Sequence, residues 1–491
     1  TAVGIRQAIE RWLLDFLPPG TAGSEQVKLQ GQVVVEPFGD RYAVTLPDMT
    51  INLAGGATIP VGTLSLSLEP LTPVTYAVVM RLPASLSVLD AEGTEIGLFE
   101  VGRQRLRGVW DTRFQTMTGL SLSVASLRYS ALAENGTMQP RMLLSRAELE
   151  SSSEADERFL LNGPAKLSID EFEMRDEDGN RQTYFANAVI ETELRGLDMI
   201  NYNRFARRFQ GLAQAFIPNA QGDLPDRETS DLLLKQLERE LADLPAFIGD
   251  AGMAISITGL VGNDPRNSRG YSVDKLDFTL LGRDFDNQVS RMQITYAHRG
   301  FTLLPAFQGP GITPGEISFE LDISDIPNTD LWQVIVAIPN DISVYGFQPA
   351  LNFAVEKIYH ALAVSNTLIE LNETFINSEE VDVRATAVAM FDNNATYKGV
   401  VAVNFRLIGF DELMARLNAE ATGNPIESGM LLGLQYLQRI GWTGDPIAGR
   451  SNREFSLRVE SSGVIIINDR VLSELIQAFT APVEEENPRR R

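Results

Sequence analysis

Cysteine is absent from the 491-residue chain, which removes disulfide bridges, thiolate metal sites and a cysteine nucleophile together. Histidine is almost absent: His298 and His360 are the two present, so an imidazole base or metal ligand has few places to sit. Each reads better as a structural or surface residue, His298 on a strand face with Ile294 and Tyr296, His360 in a helix. Basic charge is also short. Against 65 acidic residues stand 42 basic ones, of which six are lysine, giving a net charge of -23. A field of that sign repels phosphate backbones and anionic bilayer surfaces and excludes nucleic acid as a partner. No apolar run reaches the roughly 20 residues that a bilayer-crossing helix needs. Gly-x-Ser-x-Gly, phosphate-loop, dinucleotide and HExxH signatures are all missing. The acidic turn Asp176–Asn180 lacks the glycine and distal acid of a calcium loop and reads as a tight hairpin turn, as does Asp284–Asn287. The chain is therefore expected to be non-catalytic, with no cofactor and no metal.

What remains is an ordinary globular composition, 44% apolar and 22% charged, long enough for several cores. Ile5, Ala8, Ile9, Trp12, Leu13, Phe16 and Leu17 fall on one helical face, closed by Pro18-Pro19-Gly20. A docked helix is expected there, with a helix lying on a lipid surface as the other reading. From Val27 to about Leu161 the period changes to two: Leu64, Leu66 and Leu68 alternate with polar residues, as do Leu120, Leu122 and Val124. The polar stretch 151–157 reads as a loop or boundary. Beyond it hairpins alternate with helical patterns at Tyr202–Ile217, Asp231–Ile248, Phe347–Val364, Phe410–Asn418, Ile426–Ile440 and Val471–Phe479, before a frayed charged tail.

Three stretches share a grammar: Ile169-Asp170 to Gly196-Leu197, Val273-Asp274 to Gly300-Phe301, and Val381-Asp382 to Gly409-Phe410. Each holds a strand, an Asp/Asn turn, a second strand and a glycine before an apolar residue, with a helix soon after the first and third. The fold expected is α+β and β-rich, with long antiparallel meanders, helices packed on them and repeated strand-hairpin-helix units. The organisation expected is a helix over 1–20, a meander domain over 21–160, and repeat units over 161–260, 261–365 and 366–491.

Apolar excess on these elements is the one feature suggestive of binding. Leu303, Leu304 and Phe307 follow Gly300, and Trp332, Val334 and Val336 sit in the run Leu331–Ile338. Most of this apolar surface reads as ordinary core; if some of it holds a hydrophobic ligand or forms an interface, these six are the candidate residues.

The segment Leu362–Leu371, leading into Val381-Asp382-Val383-Arg384-Ala385-Thr386 and closing at Gly409-Phe410-Asp411-Glu412-Leu413, resembles the bacterial YdgA-like envelope proteins of unknown function. The likeness covers the C-terminal third, with an echo at Gly196-Leu197-Asp198. It implies export to the periplasm or cell envelope, a signal or membrane anchor before Thr1, and no catalytic residues. More distantly, the amphipathic meander is similar to sheet-groove proteins that carry lipids across the periplasm. Two functions stay open: binding of a lipid or other hydrophobic ligand along a sheet, or scaffolding of an envelope complex, with an envelope protein or a second copy of the chain as partner.

Overall fold

A computed structural model of the chain describes residues 1–16, 27–133, 136–215, 226–242, 244, 247–264, 269–305, 313–420 and 425–474. Helix α1 (Ala2–Phe16) leads into short strands β1 (Val27–Gln30), β2 (Val34–Phe38), β3 (Arg41–Thr45), β4 (Asp48–Asn52), β5 (Thr58–Gly62), β6 (Ser65–Pro70), β7 (Thr75–Met80) and β8 (Ser85–Leu89). Long strands follow: β9 (Glu95–Asp111), β10 (Thr116–Leu132), β11 (Met138–Ser152), the short β12 (Glu154–Ala155), β13 (Leu161–Arg175) and β14 (Arg181–Leu197). Next come α2 (Met199–Ala215), α3 (Arg227–Ala242), β15 (Asp250–Asp264), β16 (Arg269–Arg283), β17 (Val289–Arg299), β18 (Thr302–Leu304) and β19 (Pro314–Pro327). Then α4 (Asn328–Tyr345) and α5 (Phe347–Val364) precede β20 (Leu368–Ser378), β21 (Asp382–Phe391) and β22 (Gly399–Ile408). Finally α6 (Phe410–Glu420), α7 (Pro425–Ile440), β23 (Trp442–Ile447), β24 (Arg450–Val459), β25 (Ile465–Ile467) and β26 (Arg470–Val471) complete the described chain. This is the strand-rich α+β meander that the alternation implied. The frayed tail and Leu17 lie outside the described residues.

The chain divides into two compact units: Thr1–Ser290 with Thr302–Pro305 and Asn328–Val355, and Arg291–Phe301 with Ala306–Pro327 and Glu356–Arg491. In the first, α1 docks by the stripe its spacing announced. Ile5, Ile9 and Leu13 are buried against Val33, Val44, Leu46, Leu68 and Trp110, with Ala8 and Trp12 at the margin. Each such side chain contributes about 1.5–3 kcal/mol on leaving water. The apolar face of α1 is thus occupied by protein, as the docked-helix reading expects.

From β9 onward the strands form an antiparallel meander in the order β9, β10, β11, β13, β14, β15, β16. Aspartates set several of its turns. Asp90, Asp156 and Asp176 each accept backbone N–H bonds at 2.7–2.9 Å from the residue four places on, Thr94, Leu160 and Asn180. Stretch 151–157 is not a loop: β11 runs on to Ser152, and Glu154 and Ala155 pair with β13. A ladder needs only backbone groups, so polar residues there do not end it.

Helix pairs leave the sheets without breaking strand order. Strand β14 pairs with β15 across α2 and α3, and β22 pairs with β24 across α6 and α7. Aspartate and asparagine cap the departures: Asn201 N–H donates to Asp198 Oδ1 at 3.0 Å, and Thr229 N–H to Asp226 Oδ1 at 2.8 Å. The run Leu331–Ile338, unmarked by helical periodicity, lies inside α4. Its start is fixed from outside: Asn328 Nδ2 donates to the carbonyls of Asp284 and Asn287 at 3.0 Å, and Ser290 Oγ donates to its Oδ1 at 2.6 Å.

The three repeat glycines share one conformation. Gly196, Gly300 and Gly409 have φ of 68°, 66° and 85°. After Gly300, however, β18 and β19 intervene before the next helices. In the second unit, Gly409 joins β22 to α6 with no room for a side chain: a Cβ there would strike the Glu380 carbonyl and the Arg450 guanidinium. Gly449, φ 79°, has nothing within 4 Å of the same position. Gly409→Ala is expected to destabilise the second unit by about 2–4 kcal/mol and Gly449→Ala by about 1 kcal/mol. Guanidinium unfolding midpoints of the two variants, compared with wild type, check the difference.

Candidate functional site: the apolar face of the long sheet

Register alone assembles the site. Leu122, Leu149, Leu167, Ile190, Ile255 and Phe278 are successive cross-strand partners from β10 to β16. Beside them run Val124, Ala147, Ile169, Ala188, Ile257 and Leu276 in the same way. Further along the strands lie Leu127, Leu144, Phe172 and Phe185, with Leu260 opposite Val273. The Phe172 and Phe185 rings stack with centroids 4.9 Å apart, and Phe99 stacks on Tyr129 at 4.5 Å.

Between these two groups of rows every strand spends two residues instead of one: Ala125-Ser126, Ser145-Arg146, Asp170-Glu171, Ala186-Asn187, Thr258-Gly259 and Asp274-Lys275. Strict alternation would then send the two groups to opposite faces. Left-handed residues interrupt the pleat on this line, at Ser126 (φ 66°), Glu171 (φ 51°) and Gly259 (φ 63°). Solvent exposure slips in phase at the same place: along β9 the exposed series passes from Glu100 and Gly102 to Arg103, Arg105 and Arg107. The apolar rows on both sides therefore stay on the less exposed face.

The opposite face is charged. Lys166 Nζ lies 2.8 Å from Glu191, Ser256 Oγ donates to Asp277 at 2.7 Å, and Asn187 donates to Asp170 at 2.8 Å. An open trough of about 670 Å³ near one end of these strands is lined by Leu120, Pro164, Ala165 and Met253 as well as by Glu150, Lys166, Glu191 and Glu193.

The apolar rows are half-buried rather than buried. Among their members only Val124, Ala188 and Val273 are fully covered. Neither of the two buried core clusters draws a residue from them. Strands of 15–17 residues make this face about 50 Å long, and six strands about 25–30 Å wide.

The residues proposed from sequence are not brought together here. Leu303 and Leu304 lie in β18 against Tyr271 and Gly270, Leu304 being 49% exposed. Phe307 lies outside the described residues. Val334 is buried under α4 and Val336 half-buried. Trp332 lines a separate cleft of about 640 Å³ with Phe247, Phe285, Leu331 and Ile335. Its Nε1 is shielded from water and has no acceptor. The long-sheet rows were missed because each strand must be read as two alternating halves; two adjacent polar or small residues in mid-strand are the signal.

Neither histidine joins a catalytic constellation. His298 is buried, with Nδ1 2.9 Å from Tyr296 Oη and its ring beside Phe301. His360 is exposed, with Nδ1 2.9 Å from Asn393 Nδ2. Among the described residues no group of three His, Asp or Glu converges as a metal site would. No protein-family model matches the chain, and a search of curated proteins returns no relative.

The densest charge network braces the Gly409 corner. Arg453 lies 3.0 Å from Asp411, Gln438 donates to Asp411 at 2.7 Å, and Ser451 N–H donates to Glu412 at 2.8 Å. Burial pushes both carboxyls up, but these hydrogen bonds more than offset it and hold both below the usual carboxylate range. Carboxyls depressed in the folded state stabilise it above their unfolded range, and that contribution is lost as pH falls through the folded values. The second unit is expected to keep a constant melting temperature above about pH 5 and to lose stability below about pH 4. Asp411→Asn should flatten the acid limb, as read from melting temperature against pH.

Proposed function

We propose that the chain is a non-catalytic protein of the bacterial cell envelope that binds acyl chains along the apolar face of β10–β16. One observation carries this reading: aligned apolar rows cross six strands, keep to one face through a phase slip, and contribute nothing to either buried core cluster. Apolar surface of that extent is costly to leave wet and marks a binding face. Flexible hydrocarbon suits a face whose central rows are aliphatic and phenyl side chains. The envelope location comes from the resemblance of the C-terminal third. The cleft at Trp332 adds a second, mostly apolar recess.

Native mass spectrometry of the full chain purified from membranes tests the proposal. Adducts of lipid mass are expected. Ile190→Asn with Ile255→Asn should lower their occupancy about tenfold, two buried contacts being lost. Glu191→Gln, on the charged face, should leave occupancy unchanged. Protein free of adducts, or equal occupancy in all three, overturns the reading.

A further inference from the structure

The corner between α4 and α5 carries a second apolar surface, remote in the sequence from the sheet rows. Residues 344–349 are exposed without interruption. Val344, Tyr345 and Phe347 are 59%, 56% and 64% exposed, and Phe353 and Val355 follow at 40% and 50%. Single exposed apolar residues are ordinary; a contiguous group is not.

The corner is held rigidly. Gly346 (φ 84°) makes the turn, its N–H donating to the Ile342 carbonyl at 2.9 Å, and Ala350 behind it is fully buried. Tyr345 packs edge-on to Phe353 at 5.3 Å, and Ser343 Oγ donates to Asp231 on α3 at 2.8 Å. These aromatics are therefore presented by the fold and not left over from a loose loop.

Charge identifies the occupant. Residues 342–355 contain no Asp, Glu, Lys or Arg, in a chain that is 22% charged with a net charge of -23. We infer that this corner inserts into the interfacial layer of a neutral, zwitterionic lipid surface. A convex turn tipped by Tyr and Phe suits headgroup depth, where aromatic side chains partition well. Its own residues carry no carboxylate, so the turn itself adds nothing to the repulsion that an acidic surface exerts on phosphate. The inference is independent of whether the sheet binds acyl chains.

The absence of cysteine makes a direct test simple. Phe347→Cys and, as control, Phe38→Cys, at the end of β2 and 75% exposed, are each labelled with an environment-sensitive fluorophore. On adding phosphatidylcholine vesicles, the label at 347 should brighten and shift to shorter wavelength while that at 38 does not. Unlabelled Val344→Ser/Phe347→Ser, exposed positions that should not disturb folding, should co-sediment with those vesicles about tenfold less than wild type. No shift at 347, equal shifts at both positions, or a shift that tracks protein concentration without vesicles overturns the inference, the last by showing a protein interface instead.

Discussion

Everything distinctive about this chain depends on strand register. A residue in a strand faces one way or the other by count alone, so a face stays apolar across six strands only if all six keep the same count. Here they also break it together. From Ala125-Ser126 in β10 to Asp274-Lys275 in β16, each strand inserts one extra residue on a single transverse line. Were one strand to miss the slip, half its length would carry Glu or Lys into the apolar rows and Leu or Ile into the charged ones. The turns fixed by Asp156 and Asp176 guard against that, because each pins the pairing of the strands that it joins.

Such a sheet does not need a deep core to form. Buried clusters sit at α1 with the short strands and at α7 with β24, while the long strands between are held by ladder hydrogen bonds and cross-strand pairs. Each pair contributes roughly 0.2–1 kcal/mol, spread along the strands instead of concentrated at one site. Glycines opposite aromatics extend the same economy: the Tyr271 ring covers Gly262, its direct partner, and the Tyr129 ring lies over Gly97.

How far this was legible in the sequence varies by element. Docking of α1 followed directly from Ile5, Ile9 and Leu13, because one stripe met one core. The meander and its Asp-Gly turns were equally plain. Helix α4 was not: Val334, Ile335 and Val336 are β-branched, and its stripe is interrupted by Pro339, so nothing local argued for a helix. Asn328 decides it through bonds to residues some forty places earlier, which no window along the chain includes. The apolar face of the long sheet lay between these extremes. Its alternation was visible at Leu120, Leu122 and Val124, but continuity past Ser126 required recognising that two adjacent small residues, Ala125 and Ser126, were a phase slip and not the end of a strand.

The separation of the two faces also bears on selectivity. Charged groups at the middle of the long sheet pair with one another on the face opposite the apolar rows, as Lys166 does with Glu191. A ligand lying on those rows meets methyl, methylene and aromatic carbon and little that could read a hydrogen-bonding pattern. Discrimination by such a surface is weak per group, of the order of 1–3 kcal/mol for a methylene in a snug pocket and less on an open face. Selection must then come from length and shape matched against rows about 50 Å long. If the sheet binds acyl chains as proposed, that physics favours a class of ligands over a single one, with geometry of the sheet, more than the identity of any one side chain, setting what binds.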